Sequence, residues 1–283
     1  LADHGIELAP PTDSAEDPNF IVRKVGVSSD NSTAITIPTY NERDTIGRLI
    51  GHIRDVLSNA QIWVIDDSSP DGTAAIVREL MVSDTALHLV ERVRKDGLGR
   101  AYADGFRQVL AHAPAHVFQM DADGSHGACY LPKMLAALEA GADLVIGSRY
   151  VHGGDAPEFS FLRRLLSRMG SLYASKYLRL PVRDPTGGFK LWRADLLRSV
   201  LERPFMLKGY AFQVETTYRA FLMGATIREV PITFTPRLGG ESKMNAGIIT
   251  EAIPGVLRLR QQRKLYLQQQ GSESRGTGTW WKE

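Results

Sequence analysis

Short apolar runs rich in β-branched residues alternate with amphipathic helical stretches between residues 34 and 150. The runs predicted as strands are 34–38, 61–66, 87–93, 116–121 and 143–150. The stretches predicted as helices are about 43–57, 73–83, 99–112 and 130–140. When a helix joins each strand to the next, the strands form a parallel sheet that the helices cover. We therefore predict an α/β fold with a Rossmann-like, mostly parallel sheet and flanking helices.

The two ends of the chain lack this alternation. Residues 1 to about 31 are rich in Pro, Asp and Ser, and residues 268–283 carry several Gly and Ser, so both are predicted to be disordered tails. Residues 32–267 are predicted to form one folded domain. Because the first residue is Leu rather than Met, we expect the sequence to be a piece of a longer protein.

Composition excludes several classes of function. The formal net charge of +2 is too small to indicate a nucleic-acid partner. The single cysteine, Cys129, excludes an intrachain disulfide framework and a multi-cysteine zinc site. No apolar run approaches the roughly 20 residues that cross a bilayer, and no signal peptide is visible. We expect a cytoplasmic protein that can touch a membrane without spanning it.

Polar clusters follow four of the predicted strands. They read "PTYNE" after the first strand, "DDSSPDG" after the second, "DADGSH" after the fourth and "GSRY" at the end of the fifth. Ligands of open α/β sheets bind beyond the carboxyl ends of the strands. Four separate loops that bring Asp, Glu, Tyr, Ser and Arg to one edge of the sheet predict a binding site there.

Asp121 and Asp123 stand one residue apart directly after an apolar run. They can converge only if the strand ends and the chain turns, which Gly124 and Gly127 favour. Carboxylates brought together need a positive partner, and Mg²⁺ or Mn²⁺ suits such oxygen ligands. The alternative is an Asp that caps the next helix. His126 is either a ligand or acid, or a loop histidine hydrogen-bonded to the backbone.

Other well-known site motifs do not occur. The stretch "GLGRAYADG" fails the G-x-G-x-x-G pattern because Tyr102 stands at the position of the third glycine, and it follows the third predicted strand rather than the first. The sequence contains no G-x-x-x-x-G-K-[ST], no G-x-S-x-G and no H-E-x-x-H. A carboxylate pair for a hard cation, with arginines nearby, is the chemistry that remains.

A set of motifs in fixed order resembles the family-2 glycosyltransferases, which have the GT-A (nucleotide-diphospho-sugar transferase) fold. The motifs are "IPTYNE", "VIDDSSPDGT", "KDGLGRAYADGF", "MDADGSH", "LVIGSRY", "RDPTGGFKLWR", "GYAFQVE" and "TPRLGGESK". They are most similar to the dolichol- or polyprenol-phosphate mannosyltransferases, in particular the actinobacterial polyprenol-phosphate mannose synthases. The resemblance runs from about residue 34 to residue 265.

The resemblance implies that mannose passes from GDP-mannose to a polyprenyl monophosphate. The positions that it implies for nucleotide-sugar binding are Pro38, Tyr40, Glu42, Asp67, Asp121, Ala122, Asp123, Arg237 and Lys243. Asp121 and Asp123 would hold the metal on the diphosphate. Family members often carry Gln where this chain has Ser125, whose side chain reaches less far, so we expect a water rather than Ser125 to complete the metal shell.

The catalytic positions implied in the same way are Asp121, Asp123, Arg149, Arg163 and Asp184. A cation and arginines would stabilise the charge on the departing diphosphate, and Arg149, Arg163 and Ser167 would position the acceptor phosphate. A phosphomonoester has a second pKa of about 6 and is already ionised near neutrality. We therefore expect no obligatory general base, inversion at the anomeric carbon, and a role for Asp184 in organising the acceptor loop or contacting the sugar.

Two amphipathic stretches could place the domain at a membrane. Residues 159–180 and 248–267 combine apolar residues at helical spacing with basic residues, which suits a helix in the headgroup plane. The alternative for the first stretch is an ordinary helix packed on the sheet. In the second stretch, Pro254 is expected to kink or interrupt the helix. The resemblance also implies a membrane-embedded partner or a fused N-terminal domain of the apolipoprotein N-acyltransferase type.

Two rival interpretations stay open from the residues alone. One is the same fold with UDP-glucose or a UDP-N-acetylhexosamine as donor, because no residue distinguishes guanine from uracil. The other is a catalytically silent domain that binds a nucleotide sugar or adapts a partner to the membrane.

Overall fold

The computed structural model describes residues 32–207, 209–235, 246–261 and 263, which contain a seven-stranded sheet and eight α-helices. The strands are β1 (Thr33–Thr39), β2 (Gln61–Asp66), β3 (Leu87–Glu91), β4 (His116–Gln119), β5 (Leu144–Ser148), β6 (Lys190–Arg193) and β7 (Ile227–Pro231). The helices are α1 (Arg43–Val56), α2 (Thr73–Met81), α3 (Leu98–Ala111), α4 (Leu131–Glu139), α5 (Phe161–Leu178), α6 (Ala194–Val200), α7 (Phe212–Leu222) and α8 (Ala246–Gln261).

The sheet is mostly parallel, and its strand order is β3-β2-β1-β4-β6-β5-β7. Strand β1 pairs in parallel with β2 and β4, β2 with β3, and β5 with β7. Strand β6 lies between β4 and β5 and is antiparallel to both. The carboxyl ends of all strands except β6 therefore share one edge of the sheet, and the predicted fold class is confirmed.

Both faces of the sheet are covered, and alternate strand residues point to opposite faces. Along β2, Trp63 and Ile65 belong to the hydrophobic cluster that includes buried residues of α3 and α5 to α8. Ile62 and Val64 belong to the second cluster, which includes buried residues of α1, α2 and α4. This double burial explains why the strands read as continuous apolar runs in the sequence.

The five predicted strands and four predicted helices are confirmed, with ends that move by a few residues. The largest change with a functional consequence is at β4, which was predicted to reach residue 121 and ends at Gln119. Asp121 and Asp123 consequently lie in the turn after the strand, where Gly124 has a φ of +78° that favours glycine.

Strands β6 and β7 were not predicted. Strand β6 is only four residues long and carries a lysine, Lys190, in a run that could equally have been a loop. The two amphipathic stretches form α5 and α8. Helix α8 continues through Pro254, so of the two predicted effects of this proline, a kink or an interruption of the helix, the interruption is wrong. No helix in the described part of the chain is long and apolar enough to cross a bilayer. The two predicted tails lie outside the described residues.

Candidate active site

The turn after β4 is fixed by hydrogen bonds to its two aspartates. Asp121 Oδ1 accepts a hydrogen bond from the Tyr102 hydroxyl at 2.8 Å, and the Asp121 backbone N–H donates to His126 Nδ1 at 3.0 Å. Asp123 Oδ1 accepts from both the backbone N–H and the hydroxyl of Ser125, at 3.1 and 2.6 Å. The turn thus places both carboxylates at the carboxyl edge of the sheet in defined orientations.

His126 is a buried structural residue of this turn. Burial lowers the pKa of its imidazole, against the opposing effect of the Asp121 and Asp123 carboxylates. The ring stacks on Phe189 with centroids 5.0 Å apart, and its Nδ1 accepts from the Asp121 backbone. Of the two interpretations of this histidine, the structure supports the one in which it is hydrogen-bonded to backbone.

The donor set of the turn fits a cation that is shared with a substrate. No group of three or more His, Cys, Asp or Glu side chains suited to a metal occurs among the residues that the structure describes. Asp121 and Asp123 offer carboxylate oxygens on either side of the buried Ala122. Mg²⁺ and Mn²⁺ are commonly held by one or two carboxylates plus phosphate oxygens and waters. The Ser125 hydroxyl donates to Asp123, so it supports the carboxylate.

Arg149, just beyond β5, forms a bidentate ion pair with Asp184. Arg149 Nε and Nη2 donate to the two oxygens of Asp184, each at 2.8 Å, and the Arg149 backbone N–H donates at 3.1 Å. Burial by itself would raise the pKa of Asp184, but the Arg149 charge and hydrogen bonds hold it below its ordinary value. Burial alone would lower the pKa of Arg149. The charge of Asp184 and the hydrogen bonds to it have the larger combined effect, so the pKa of Arg149 is raised above its ordinary value. Both partners are therefore charged.

Asp184 organises the loop between α5 and β6. Its side chain is fully buried and also accepts from the Thr186 hydroxyl at 3.0 Å. The backbone N–H groups of Arg183 and Asp184 donate to the Glu229 carboxylate on β7, at 2.7 and 2.9 Å. A buried carboxylate that is ionised and fully engaged in this way is suited to holding a loop rather than to accepting a proton.

A hydrogen bond joins the end of β5 to α5. Tyr150, the residue after Arg149, donates from its hydroxyl to Ser167 Oγ on α5 at 2.6 Å. Burial raises the pKa of Tyr150, so the phenol keeps its proton near neutral pH. This contact brings Ser167 next to the Arg149 loop, as the predicted acceptor site requires.

Two aromatic rings connect Arg149 with Arg163. The Arg149 guanidinium carbon lies 5.6 Å from the centre of the Phe234 ring, and that of Arg163 lies 4.1 Å from the Phe159 ring. The two rings pack edge to face with centroids 5.6 Å apart. The predicted acceptor residues Arg149, Arg163 and Ser167 are thus grouped around the amino-terminal half of α5.

Asp67, predicted to contact the nucleoside, pairs with Arg92 at the end of β3. Arg92 also donates to Asp104 on α3 at 3.0 Å. Burial raises the pKa of Asp67 despite the Arg92 charge. The neighbouring Asp66 instead accepts from Ser69. Sequence analysis missed Arg92, although its place at the end of a strand on the predicted edge was a usable indication.

The other nucleoside positions lie after β1. Pro38 is buried within the strand, and the Lys95 ammonium lies 3.6 Å from the centre of the Tyr40 ring. The Glu42 backbone N–H donates to the Thr73 hydroxyl at the start of α2 at 3.0 Å. These residues and Asp67 occupy the carboxyl edge of β1 and β2.

Arg237 and Lys243, also predicted for the nucleotide sugar, lie outside the described residues. Sequence analysis further missed Lys190 and Gln213 beneath the site. Lys190 Nζ donates to the Gln213 carbonyl oxygen at 2.7 Å and to Thr216 Oγ1 at 3.0 Å. Burial lowers the pKa of Lys190 well below its ordinary value. Nothing in the local pattern distinguishes this lysine from an exposed one.

Helix α5 exposes an apolar face beside the acceptor residues. The exposed apolar side chains are Phe161, Leu162, Leu165, Leu166, Met169 and Leu172. A groove of 710 Å³ runs along the carboxyl-terminal half of the helix. Its lining includes Tyr150, Leu172, Leu180 and the basic residues Arg168, Lys176, Arg179 and Arg183. An ordinary helix that packs its apolar residues on the sheet, the alternative predicted for residues 159–180, does not explain these exposed apolar side chains of α5.

Sequence comparison assigns the chain to the glycosyltransferases. Residues 34–201 match the family model described as Glycosyl transferase family 2, and the chain belongs to that family. The predicted family and the predicted class of enzyme are thereby confirmed.

Two curated relatives are similar to this chain over most of its length. The chain is 44% identical over 222 residues to an undecaprenyl-phosphate mannosyltransferase from Micrococcus luteus, covering 78% of this chain and 91% of the relative. It is 40% identical over 222 residues to a polyprenol monophosphomannose synthase from Mycolicibacterium smegmatis, covering 78% of this chain and 84% of the relative.

Solved structures show the same fold at lower identity. Glucosyl-3-phosphoglycerate synthase from Mycobacterium tuberculosis, in complex with Mn²⁺, UDP and phosphoglyceric acid, aligns with a TM-score of 0.56 at 20% identity, covering 82% of this chain and 78% of that one. The same enzyme with phosphoglyceric acid aligns with a TM-score of 0.59 at 19% identity, covering 84% and 85%.

Proposed function

We propose that the protein transfers mannose from GDP-mannose to a polyprenyl monophosphate, which yields polyprenyl-phosphate-mannose and GDP. The observation that carries the proposal is the grouping of Arg149, Arg163 and Ser167 beside a helix face of exposed apolar side chains. An acceptor whose anionic head is attached to a lipid needs both features in one place. The names of the two curated relatives support the same reaction.

Asp121 and Asp123 would hold a divalent cation, Mg²⁺ or Mn²⁺, on the diphosphate of the donor. When bound, the cation supplies electrostatic stabilisation of the departing nucleoside diphosphate. The protein keeps the two carboxylates in place through Tyr102 and Ser125. The guanosine would lie at Pro38, Tyr40, Glu42 and Asp67, with Ala122 next to the sugar and with Arg237 and Lys243 on the phosphates.

Arg149 and Arg163 would orient the acceptor phosphate, with Ser167 as a hydrogen-bond partner. The phosphate monoester is itself the nucleophile, because it is largely ionised near neutral pH. Asp184 is ionised and engaged with Arg149, so its role is to position that arginine rather than to act as a base. Direct attack on the anomeric carbon inverts its configuration.

The same face of α5 would dock the enzyme on the cytoplasmic leaflet. Its exposed apolar residues would enter the headgroup region, and the basic residues of the adjoining groove would meet anionic headgroups. We include in the proposal a membrane-embedded partner, or a domain fused before this sequence, of the apolipoprotein N-acyltransferase type.

Transfer of radiolabelled mannose from GDP-mannose into a lipid extract tests the reaction. We expect label in the polyprenyl-phosphate fraction with Mg²⁺ or Mn²⁺, none with a chelator, and recovery when the metal is restored. The Asp123→Ala variant should lose transfer by about a hundredfold or more, because the cation loses one of its two protein carboxylates. Efficient transfer of glucose from UDP-glucose instead would identify the rival donor. No transfer by the wild type with any of these donors and metals, and an Asp123→Ala variant that behaves identically, would favour a silent domain.

A further inference from the structure

Gly188 leaves a small opening beside the carboxylate turn. A methyl group built on Gly188 would lie 3.3 Å from Gln213 Nε2, 3.4 Å from His126 Cε1 and 3.5 Å from Asp121 Oδ2. Because residue 188 is glycine, this space is left to a ligand atom of similar size. We call the opening, bounded by Gly188, Gln213, His126 and Asp121, the Gly188 notch.

The Gln213 side chain is held in one orientation. It is only 1% exposed, and its Oε1 accepts a hydrogen bond from Gln119 Nε2 on β4 at 2.7 Å. Its backbone carbonyl accepts from Lys190 Nζ at 2.7 Å and from Thr217 Oγ1 at 3.0 Å. These contacts fix both ends of the residue, so the amide nitrogen is directed at the notch.

The amide nitrogen of Gln213 has no hydrogen-bond partner among the residues that the structure describes. The nitrogen is not fully cut off from solvent, so a water or ligand atom in the notch can accept its hydrogen bond. The side-chain amides of Gln119 and Gln213 could both be flipped without breaking the hydrogen bond between them. In that case Gln213 would direct an acceptor oxygen into the notch, next to the acceptor oxygen of Asp121. A donor that faces the notch is therefore the arrangement that a ligand can complete.

The chemistry of the notch selects the ligand group. One wall offers an N–H donor from Gln213 and another offers an acceptor oxygen from Asp121. A hydroxyl group both accepts and donates, so a single hydroxyl can satisfy both walls. A phosphate oxygen would be repelled by the carboxylate, and a metal ion would be opposed by the N–H group.

We propose that the Gly188 notch binds one hydroxyl group of the transferred hexose, and that Gln213 is a specificity-determining residue which donates a hydrogen bond to that hydroxyl. The inference rests on the proposed function only in requiring a nucleotide-hexose donor. Gln119 and Lys190 then act as positioning residues for Gln213.

The Gln213→Met variant tests the hydrogen bond, because Met has a similar length and no N–H. The variant and the wild type are assayed with GDP-mannose and with analogues that each lack one sugar hydroxyl. We expect the wild type to prefer GDP-mannose over one analogue by about tenfold or more in kcat/KM. In the Gln213→Met variant, kcat/KM for GDP-mannose and kcat/KM for that analogue should become similar. The ratios of kcat/KM between GDP-mannose and the other analogues should stay as they are in the wild type.

The Gly188→Ala variant tests the space, because the added methyl group fills the notch. Gly188 is not among the glycines with positive φ, so its backbone can accept alanine. The Gly188→Ala variant should lose activity on GDP-mannose. Its activity on the analogue that Gln213→Met tolerates, relative to its activity on GDP-mannose, should be higher than in the wild type. Thermal unfolding and GDP binding are measured for both variants to show that the fold and the nucleotide site are retained.

Two results would overturn the inference: a wild type that does not discriminate against any of the analogues, or a Gln213→Met variant that loses activity equally on every donor. The second result would assign Gln213 a structural role only. If the wild type uses a UDP-hexose rather than GDP-mannose, the proposed function fails, and the same comparison with deoxygenated UDP-hexoses still tests the notch.

Discussion

At the scale of single residues, the Arg149–Asp184 pair shows how burial and charge balance each other. Asp184 is fully buried and the Arg149 side chain is 11% exposed, and each offsets the desolvation of the other through two hydrogen bonds at 2.8 Å. The loss of one partner leaves the other charge buried without compensation. The pair therefore contributes to stability as well as to the placement of Arg149.

We predict that Asp184→Asn lowers the free energy of unfolding by about 3 kcal/mol or more at pH 7, because it leaves the Arg149 charge buried. Urea unfolding measures the change. The matched control is Asp195→Asn, which breaks the exposed pair of Arg198 with Asp195 and should cost less than about 1 kcal/mol. Equal effects of the two substitutions would contradict the assignment.

The same pair predicts a dependence on pH. The pKa of Asp184 is lower in the folded protein than its ordinary value, so its contribution to stability is present above about pH 4. It is lost as the pH falls through the lower, folded-state pKa. The difference in unfolding free energy between wild type and Asp184→Asn should therefore shrink below about pH 4 in urea titrations. A difference that is constant from pH 7 to acid would show that Asp184 is not ionised in the fold.

At the scale of elements, α5 has a buried face and an exposed apolar face. Its buried residues, among them Ala174 and Leu178, pack in the core under the sheet. Its other face exposes apolar side chains, of which Phe161 is 84% exposed. An exposed apolar stripe beside the proposed acceptor site is better explained by a membrane surface than by folding.

We predict that the triple variant Phe161→Ser, Leu165→Ser and Met169→Ser binds anionic vesicles much more weakly than wild type, with an unchanged melting temperature. The exposed side chains contribute little to the folded core, whereas burial of a large apolar side chain in lipid is worth up to about 1.5–3 kcal/mol. Vesicle co-sedimentation and thermal melting measure the two effects. Val82→Ser, at an 87% exposed position at the end of α2, is the control. Unchanged sedimentation of the triple variant would remove α5 from the interface.

At the scale of the whole molecule, Lys190 lies where the parallel part of the sheet meets the antiparallel insertion. It pairs in register with Gln119 of β4 and Ile146 of β5, and its Nζ bonds to the start of α7. A buried ammonium there is costly, which is why its pKa is well below the ordinary value. The residue thus connects three strands and a helix beneath the site and lowers stability when it is charged.

We predict that Lys190→Met raises the free energy of unfolding, and by more at pH 6 than at pH 9. The unfolded lysine keeps its proton up to a pKa of about 10.4, whereas the folded one releases it at lower pH. Wild-type stability therefore rises with pH, by up to about 1.4 kcal/mol per unit, and the variant lacks this slope. Lys133→Met, at an exposed position on α4, is the control in the same urea titrations. An advantage that does not change with pH would mean that Lys190 is not desolvated.

Much of the site could be predicted because its residues follow strands that are recognisable locally. Asp121, Asp123, Arg149 and Asp67 all lie at the carboxyl edge that the alternating pattern implies. Their partners could not be predicted in the same way. Tyr102 and Arg92 are close in space to the aspartates that they bind, but they lie 19 and 25 residues away in the chain.

The amino-acid sequence by itself determined strands β1 to β5, helices α1 to α4 and the edge where the acidic turn lies, because periodicity and turn residues are local properties of the chain. Only the tertiary structure decided where β6 is inserted, that Asp184 lies against Arg149, and that Gln213 bonds to Gln119 94 residues away. These pairings depend on how distant segments pack together. A lysine, glutamine or aspartate that would be solvated in one packing is buried and paired in another.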